Sequence, residues 1–125
     1  MAKNKLLVID DNAFIGKLMA SRLTANGYDV IIATSGAEGL IKAEQEKPSA
    51  ILLDFTMPDM DGVEVGMKLR SHEATKNIPI IMVTARNEHA IVVKAMESFN
   101  PEAYLTKPFN PEKLLEEVKR VLKND

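Results

Sequence analysis

Leu6-Leu7-Val8-Ile9-Asp10-Asp11 is the stretch that decides the fold. An unbroken run of Leu, Val and Ile is the signature of a short strand covered on both faces. Two acids close the run, and charge directly after a buried strand is costly unless it works at an edge. The pattern recurs twice. Ile51-Leu52-Leu53 ends in Asp54, and Ala103-Tyr104-Leu105-Thr106 ends in Lys107-Pro108. Laid parallel in one sheet, these strands bring all the charged groups to its carboxyl end, where open α/β sheets bind ligands.

The segments between these strands alternate with them. Phe14, Ile15, Leu18, Met19 and Leu23 follow helical spacing, and Gly27 is placed as the residue after that helix. Val30-Ile31-Ile32 marks a second strand within 29–33. Ser35-Gly36-Ala37-Glu38 has capping-box spacing and opens a helix that stops before Pro48. The third strand is expected over 50–54. A short helix over 63–71 is entered through a loop containing Pro58 and Gly62. A fourth strand over 78–84 begins near Pro79, which suits a strand start. A helix over 88–98 presents Ile91, Val92, Ala95 and Met96 as apolar contacts. After the fifth strand, Asn110-Pro111 reads as an N-cap followed by proline at the first helical position. Leu114, Leu115, Val118 and Leu122 then form the last helix's apolar stripe.

Five strands alternating with five helices imply an α/β fold, a (βα)5 three-layer sandwich with a parallel sheet and helices on both faces. Right-handed crossovers make the flavodoxin-like strand order 2-1-3-4-5 the natural one. The first and third strands then flank the switch point, which brings Asp10, Asp11 and Asp54 together. The 125 residues form one domain with no output domain expected in this chain, the last helix ending about two residues before Asp125.

Composition narrows the function classes. Sixteen basic and 18 acidic residues give a net charge of −2, which leaves no electrostatic footprint for nucleic acid. The chain has no cysteine, so disulfides and thiolate metal sites are excluded. No apolar run approaches the ~20 residues of a membrane span, and the N-terminal apolar run is too short for a signal peptide. A cytoplasmic protein without membrane contact is expected.

Three converging carboxylates repel one another and raise one another's pKa unless a cation compensates. With oxygen ligands alone, a hard divalent ion is the fitting partner. Mg²⁺ binds through one or two carboxylates, keeps waters, and shares phosphoryl oxygens. The acids with Lys107 and the hydroxyl of Thr84 form a set suited to phosphoryl transfer, in which positioning and charge neutralisation dominate. A carboxylate can itself be the nucleophile, giving an aspartyl phosphate.

Asp10-Asp11, Asp54, Met57-Pro58-Asp59-Met60-Asp61-Gly62, Thr84-Ala85 and Lys107-Pro108-Phe109 together resemble the receiver (CheY-like) domain of bacterial two-component response regulators, from about residue 5 to residue 123. The resemblance implies that Asp54 accepts a phosphoryl group from a phosphohistidine on a sensor histidine kinase or phosphotransfer protein. It implies that Asp10, Asp11, Asp54 and the main-chain carbonyl of Thr56 hold Mg²⁺, with Mn²⁺ as a substitute. Thr84, Ala85 and Lys107 would stabilise the phosphoryl group, with Asp54 and Lys107 as the catalytic pair. Thr84 and Tyr104 would carry the switch to the face of the fourth helix, fifth strand and fifth helix. That face would control a downstream protein target or an output domain on a longer chain. A cis Lys107-Pro108 bond is implied too. The chain departs from the family at Asn100-Pro101, where Gly-Ala is common. Asn best tolerates a left-handed backbone, so Asn100 is expected at positive φ. Arg86 and Thr56 stand where the family tunes phosphoryl lifetime.

Each residue also has a plainer reading. Asp10-Asp11 could cap the following helix, Asp54 could be a strand-end turn residue, and Thr84 a strand-end hydroxyl. Tyr104 could be a packed strand aromatic. His72 and His89 read as solvent-side residues. Lys113, Lys119, Arg120 and Lys123 read as a solvated face. Three other functions compete. An aspartyl-phosphate phosphatase would want Asp-x-Asp, but the sequence reads Asp54-Phe55-Thr56. A receiver-like interaction module without phosphorylation would normally lack a key residue, and none is missing. A flavin-binding carrier would want a Ser/Thr/Gly-rich phosphate loop in place of Asp10-Asp11.

Overall fold

The structure is a computed structural model that describes residues 4–55, 61–85 and 89–123. Strands and helices alternate along it: β1 (Lys5–Ile9), α1 (Ala13–Ala25), β2 (Asp29–Ala33), α2 (Gly36–Glu46), β3 (Ala50–Asp54), α3 (Gly62–Ser71), β4 (Ile80–Ala85), α4 (His89–Ser98), β5 (Ala103–Lys107) and α5 (Pro111–Lys123). The strands are parallel in the order β2-β1-β3-β4-β5, as the connection rules require.

Strand alternation divides the interior into two layers. Leu7, Ile9, Ile51, Leu53, Ile80 and Met82 face α2, α3 and α4, packing on Ala43, Val65, Leu69, Ala95 and Phe99. Leu6, Val8, Leu52, Ile81, Val83 and Leu105 face α1 and α5, packing on Met19, Leu23, Leu114, Val118 and Val121. Both faces of the central strands are therefore buried, which is why their sequences read as continuous apolar runs. β5 is covered on one face only, and its burial alternates.

Local chemistry sets the element ends. The side chain of Ser35 accepts from Glu38 N–H at 3.1 Å, while Glu38 Oε1 accepts from Thr34 N–H at 2.7 Å. Gly27 follows α1 at φ 94° and Asn100 follows α4 at φ 53°, both left-handed as the sequence suggests. The Lys107-Pro108 bond is cis. Asn110 Oδ1 accepts from Glu112 N–H at 2.7 Å and opens α5.

Four expectations shift. β4 starts at Ile80 rather than 78. Pro79 has no N–H for the ladder, and its carbonyl accepts from Ile51 N–H at 2.9 Å. Gly62 is the first residue of α3 rather than part of the loop, with Asp61 as its N-cap. Phe14 and Leu18 are 68% and 49% exposed, so the inner face of α1 is Met19, Leu23 and Gly16 instead. Met96 is likewise exposed on α4, whose inner contact is Ala95 flanked by Ile91 and Val92.

Arg70 ties the edge of the sheet where β4 and β5 begin. Its guanidinium donates to the carbonyls of Phe99 at 3.2 Å, Lys76 at 3.2 Å, Ile78 at 2.8 Å and Asn100 at 3.3 Å. It also meets Glu102 Oε1 at 2.8 Å, and the same oxygen accepts from Ile80 N–H at 2.7 Å. One planar fork thus joins α3, the 76–78 turn, the corner after α4 and the starts of two strands. Lysine lacks that fork. Arg70→Ala is expected to cost about 2–4 kcal/mol because several carbonyls lose their donor together. Arg70→Lys should recover less than half of the loss, as read from urea denaturation midpoints.

Candidate functional site

The site is built where the strands end. Ile9 pairs with Leu53, so Asp10 and Asp54 stand level at the adjacent ends of β1 and β3. This is the topological switch point, because β2 lies on one side of β1 and β3 on the other. Ala85 pairs with Lys107 at the ends of β4 and β5. Period-two alternation gives Asp10 the parity of Val8, Asp54 that of Leu52, and Lys107 that of Leu105, all on the α1/α5 side.

Asp10 is fully buried and Asp54 only 4% exposed, whereas Asp11 is exposed. One carboxylate oxygen from each of the three lies within 4.8 Å of the others. Lys107 Nζ stands 3.0 Å from Asp54 Oδ1 and 3.6 Å from Asp10 Oδ2. Asp10 Oδ1 accepts from Asn12 N–H at 2.9 Å, and Asp10 N–H donates to Ala33 O at 3.0 Å. Asp10 Oδ2 has no hydrogen-bond partner among the described residues. Burial pushes the Asp54 carboxyl up from 3.8 to about 6, and the Asp10 carboxylate beside it pushes the same way. Lys107 offsets only part of this. Among the described residues, the pocket holds more negative charge than the Lys107 ammonium balances.

The remaining expected residues fall as follows. Thr84 is buried at the end of β4, in register with Thr106. Ala85 is the last residue of that strand. Tyr104 is 46% exposed, on the uncovered face of β5. Thr56, Arg86 and the Met57 to Met60 segment lie outside the described residues. His72 and His89 are exposed and are not among the clustered acids. The plainer reading of Asp10-Asp11 as the helix cap is corrected. Asn12 is the N-cap of α1, its Oδ1 accepting from Phe14 and Ile15 N–H at 3.0 and 3.1 Å. Asp10 instead accepts from the cap's own N–H. Sequence reasoning misses Asn12 as the residue that orients Asp10, although Asn before a helical run is a known start signal.

An oxygen-only donor set with one unsatisfied buried carboxylate oxygen fits a small hard cation. Residues 6–119 match the family described as the response regulator receiver domain. The chain belongs to that family. It is 42% identical over 119 residues to the alkaline phosphatase synthesis transcriptional regulatory protein PhoP of Bacillus subtilis, a match covering 95% of this chain and 48% of PhoP. The chain spans about half the length of the curated relatives it matches. It resembles the CheY-like receiver domain protein of Methanospirillum hungatei JF-1 with a TM-score of 0.90 and 33% identity, over 98% of this chain and 96% of that one. It also resembles the receiver domain of the sensor histidine kinase PA1611 of Pseudomonas aeruginosa PAO1, with a TM-score of 0.89 and 26% identity over 98% and 99% of the two chains. That protein was solved with a magnesium ion coordinated in its active-site cleft. Among the described residues of this receiver domain, no helix is long and apolar enough to cross a membrane.

The raised Asp54 pKa fixes a sign. The folded state holds the proton more tightly than the unfolded state does. The associated stability is full below about 3.8 and is lost as pH rises through about 6. At pH 7 the metal-free protein therefore carries the cost of a charged, buried Asp54. Asp54→Asn removes that cost but also removes the pair with Lys107, leaving a net gain of about 1–2 kcal/mol. Urea denaturation in EDTA at pH 7 should show the variant more stable than wild type. The difference should close at about pH 4.

Proposed function

We propose that this receiver domain is a phosphoacceptor signalling module that takes a phosphoryl group on Asp54 from a phosphohistidine of a sensor histidine kinase or phosphotransfer protein. The observation that carries this reading is the convergence of Asp10, Asp11 and Asp54 with Lys107, whose Nζ is 3.0 Å from Asp54 Oδ1. In the transfer, an Asp54 carboxylate oxygen forms a bond to phosphorus as the P–N bond to the donor imidazole breaks. The electron pair returns to the imidazole nitrogen, which takes up a proton from solvent.

Asp10, Asp11, Asp54 and the main-chain carbonyl of Thr56 are the residues assigned to Mg²⁺, with Mn²⁺ as a substitute. When bound, the ion supplies neutralisation of charge developing on the phosphoryl oxygens. The chain's own residues do the rest. Lys107 holds the carboxylate in place and offers its ammonium to a phosphoryl oxygen. Thr84 and Ala85, at the end of the neighbouring strand, provide the remaining stabilisation. Asn12 fixes Asp10 through its main-chain N–H. The domain catalyses its own phosphorylation and dephosphorylation and turns over no further substrate.

Phosphorylation replaces a carboxylate with a dianionic group, a local charge change of the kind that biases two-state elements. Thr84 and Tyr104 are the switch pair of this reading, and the face of α4, β5 and α5 is its output. The controlled partner is a downstream protein or an output domain on another part of a longer chain, in the cytoplasm. Residues 1–125 are taken as one receiver unit that binds no nucleic acid directly.

The decisive experiment incubates the protein with acetyl phosphate and Mg²⁺ and weighs the product. Wild type should gain the mass of one phosphoryl group only when Mg²⁺ is present, and Asp54→Ala should gain none; equal labelling of both would remove Asp54 from its role. Mg²⁺ alone should raise the melting temperature of wild type with the logarithm of its concentration. Asp10→Asn and Asp11→Asn should blunt that rise at least tenfold in midpoint concentration, the order seen when an ion's oxygen ligands are removed or left unsupported.

A further inference from the structure

Gly62, Gly66 and Arg70 are spaced four apart on α3 and so share one face. Each meets a phenylalanine. A Cβ on Gly62 would overlap the ring of Phe55 and come within 2.8 Å of its Cα. A Cβ on Gly66 would overlap the ring of Phe99. Arg70 holds the Phe99 carbonyl at 3.2 Å and the Asn100 carbonyl at 3.3 Å. The two glycines thus form a groove in which both rings sit, centroids 6.1 Å apart and tilted by 34°, both buried.

Phe55 is the residue after Asp54. Its N–H donates to Val83 O at 3.2 Å, and its carbonyl accepts from Gly62 N–H at 3.5 Å. With its main chain held by β4 and α3 and its ring held by Phe99, Phe55 has little freedom to rotate. Any shift of its peptide plane moves the Asp54 carboxylate, whose useful placement tolerates only about 0.5 Å. Phe99 is fixed in turn by Arg70 and by the turn at Ala95, whose carbonyl accepts from Phe99 and Asn100 N–H, both at 2.9 Å.

We propose that Phe55 is a positioning residue for Asp54 and that Phe99, seated in the Gly62–Gly66 groove, holds it there, so that the corner at Asn100 sets the geometry of the acidic pocket. This rests on the reading of Asp54 as the phosphoacceptor. The route differs from the Thr84–Tyr104 pair: it runs through Phe99 and α3 in the α2–α4 layer and meets β4 at Val83.

The test uses Phe99→Leu, which removes the ring without touching the pocket, with Phe99→Met in its place if that variant does not fold. Val118→Ala, on the inner face of α5 in the opposite layer, serves as a variant of comparable stability loss. Calorimetry measures beryllofluoride binding in Mg²⁺, and amide hydrogen exchange reports the Phe55 N–H in metal-free protein. Phe99→Leu should weaken beryllofluoride binding about 2- to 30-fold and speed exchange at Phe55, while Val118→Ala changes neither beyond its effect on global stability. Gly66→Ala, which pushes the ring instead of deleting it, should act in the same direction. Wild-type affinity and exchange in Phe99→Leu, or equal losses in Val118→Ala, would overturn the positioning role. Absence of Mg²⁺-dependent beryllofluoride binding by wild type would overturn the phosphoacceptor reading, and this inference with it. The exchange result in metal-free protein tells that failure apart from a failure of positioning alone.

Discussion

Two acids with little or no access to water, Asp10 and Asp54, share one ammonium, that of Lys107. Removing a carboxylate from water costs several kcal/mol unless charge or hydrogen bonds replace the lost solvent. Here the replacement comes from groups far apart in the chain, and only the crossing order of the sheet brings them to one edge. The rest of the architecture follows from that need. The central strands are apolar on both faces, the polar groups appear only at the strand ends, and Asn12 turns its N–H toward Asp10. The compensation is incomplete, as the raised Asp54 carboxyl shows. An under-neutralised cluster is poorly suited to stabilising a fold and well suited to receiving a cation and a phosphoryl group.

The fold is legible because each central strand announces itself by composition, and two of them, β1 and β3, run into acids. A run such as Leu6-Leu7-Val8-Ile9 cannot be mistaken for a surface strand. The strand order then follows from connection rules rather than from any one residue. The left-handed Asn100 is legible from the tolerance of asparagine for that conformation. Phe14 and Leu18 mislead because helical periodicity reports which residues share a face, not how far the sheet extends beneath it. Gly62 reads as a loop residue because glycine signals a break in sequence, whereas here it starts a helix that must approach Phe55 closely. Arg70 carries no signal at all. A basic residue in the last turn of a helix looks like a solvated charge, and its value lies in carbonyls supplied by residues 76 to 100.

The two edges of the sheet thus carry opposite chemistry. At the starts of β4 and β5, the Arg70 guanidinium satisfies several neutral carbonyls and one carboxylate. At the strand ends, among the described residues, Lys107 faces an excess of acid. α3 touches both, with Arg70 at one end and Gly62 against Phe55 at the other. The departure from the family's common Gly-Ala at Asn100-Pro101 falls on the Arg70 side, where Pro101 is buried and the Asn100 carbonyl is held.

The pocket also accounts for the charge of the whole molecule. Setting aside Asp10, Asp11, Asp54 and Lys107 leaves acidic and basic side chains equal in number elsewhere, so the formal −2 of the chain resides at this one edge. The three acids and one lysine form a localised anionic pole. Its field falls away within about 8 Å at physiological ionic strength. Small cations arriving at that pole are drawn in at a rate that salt suppresses.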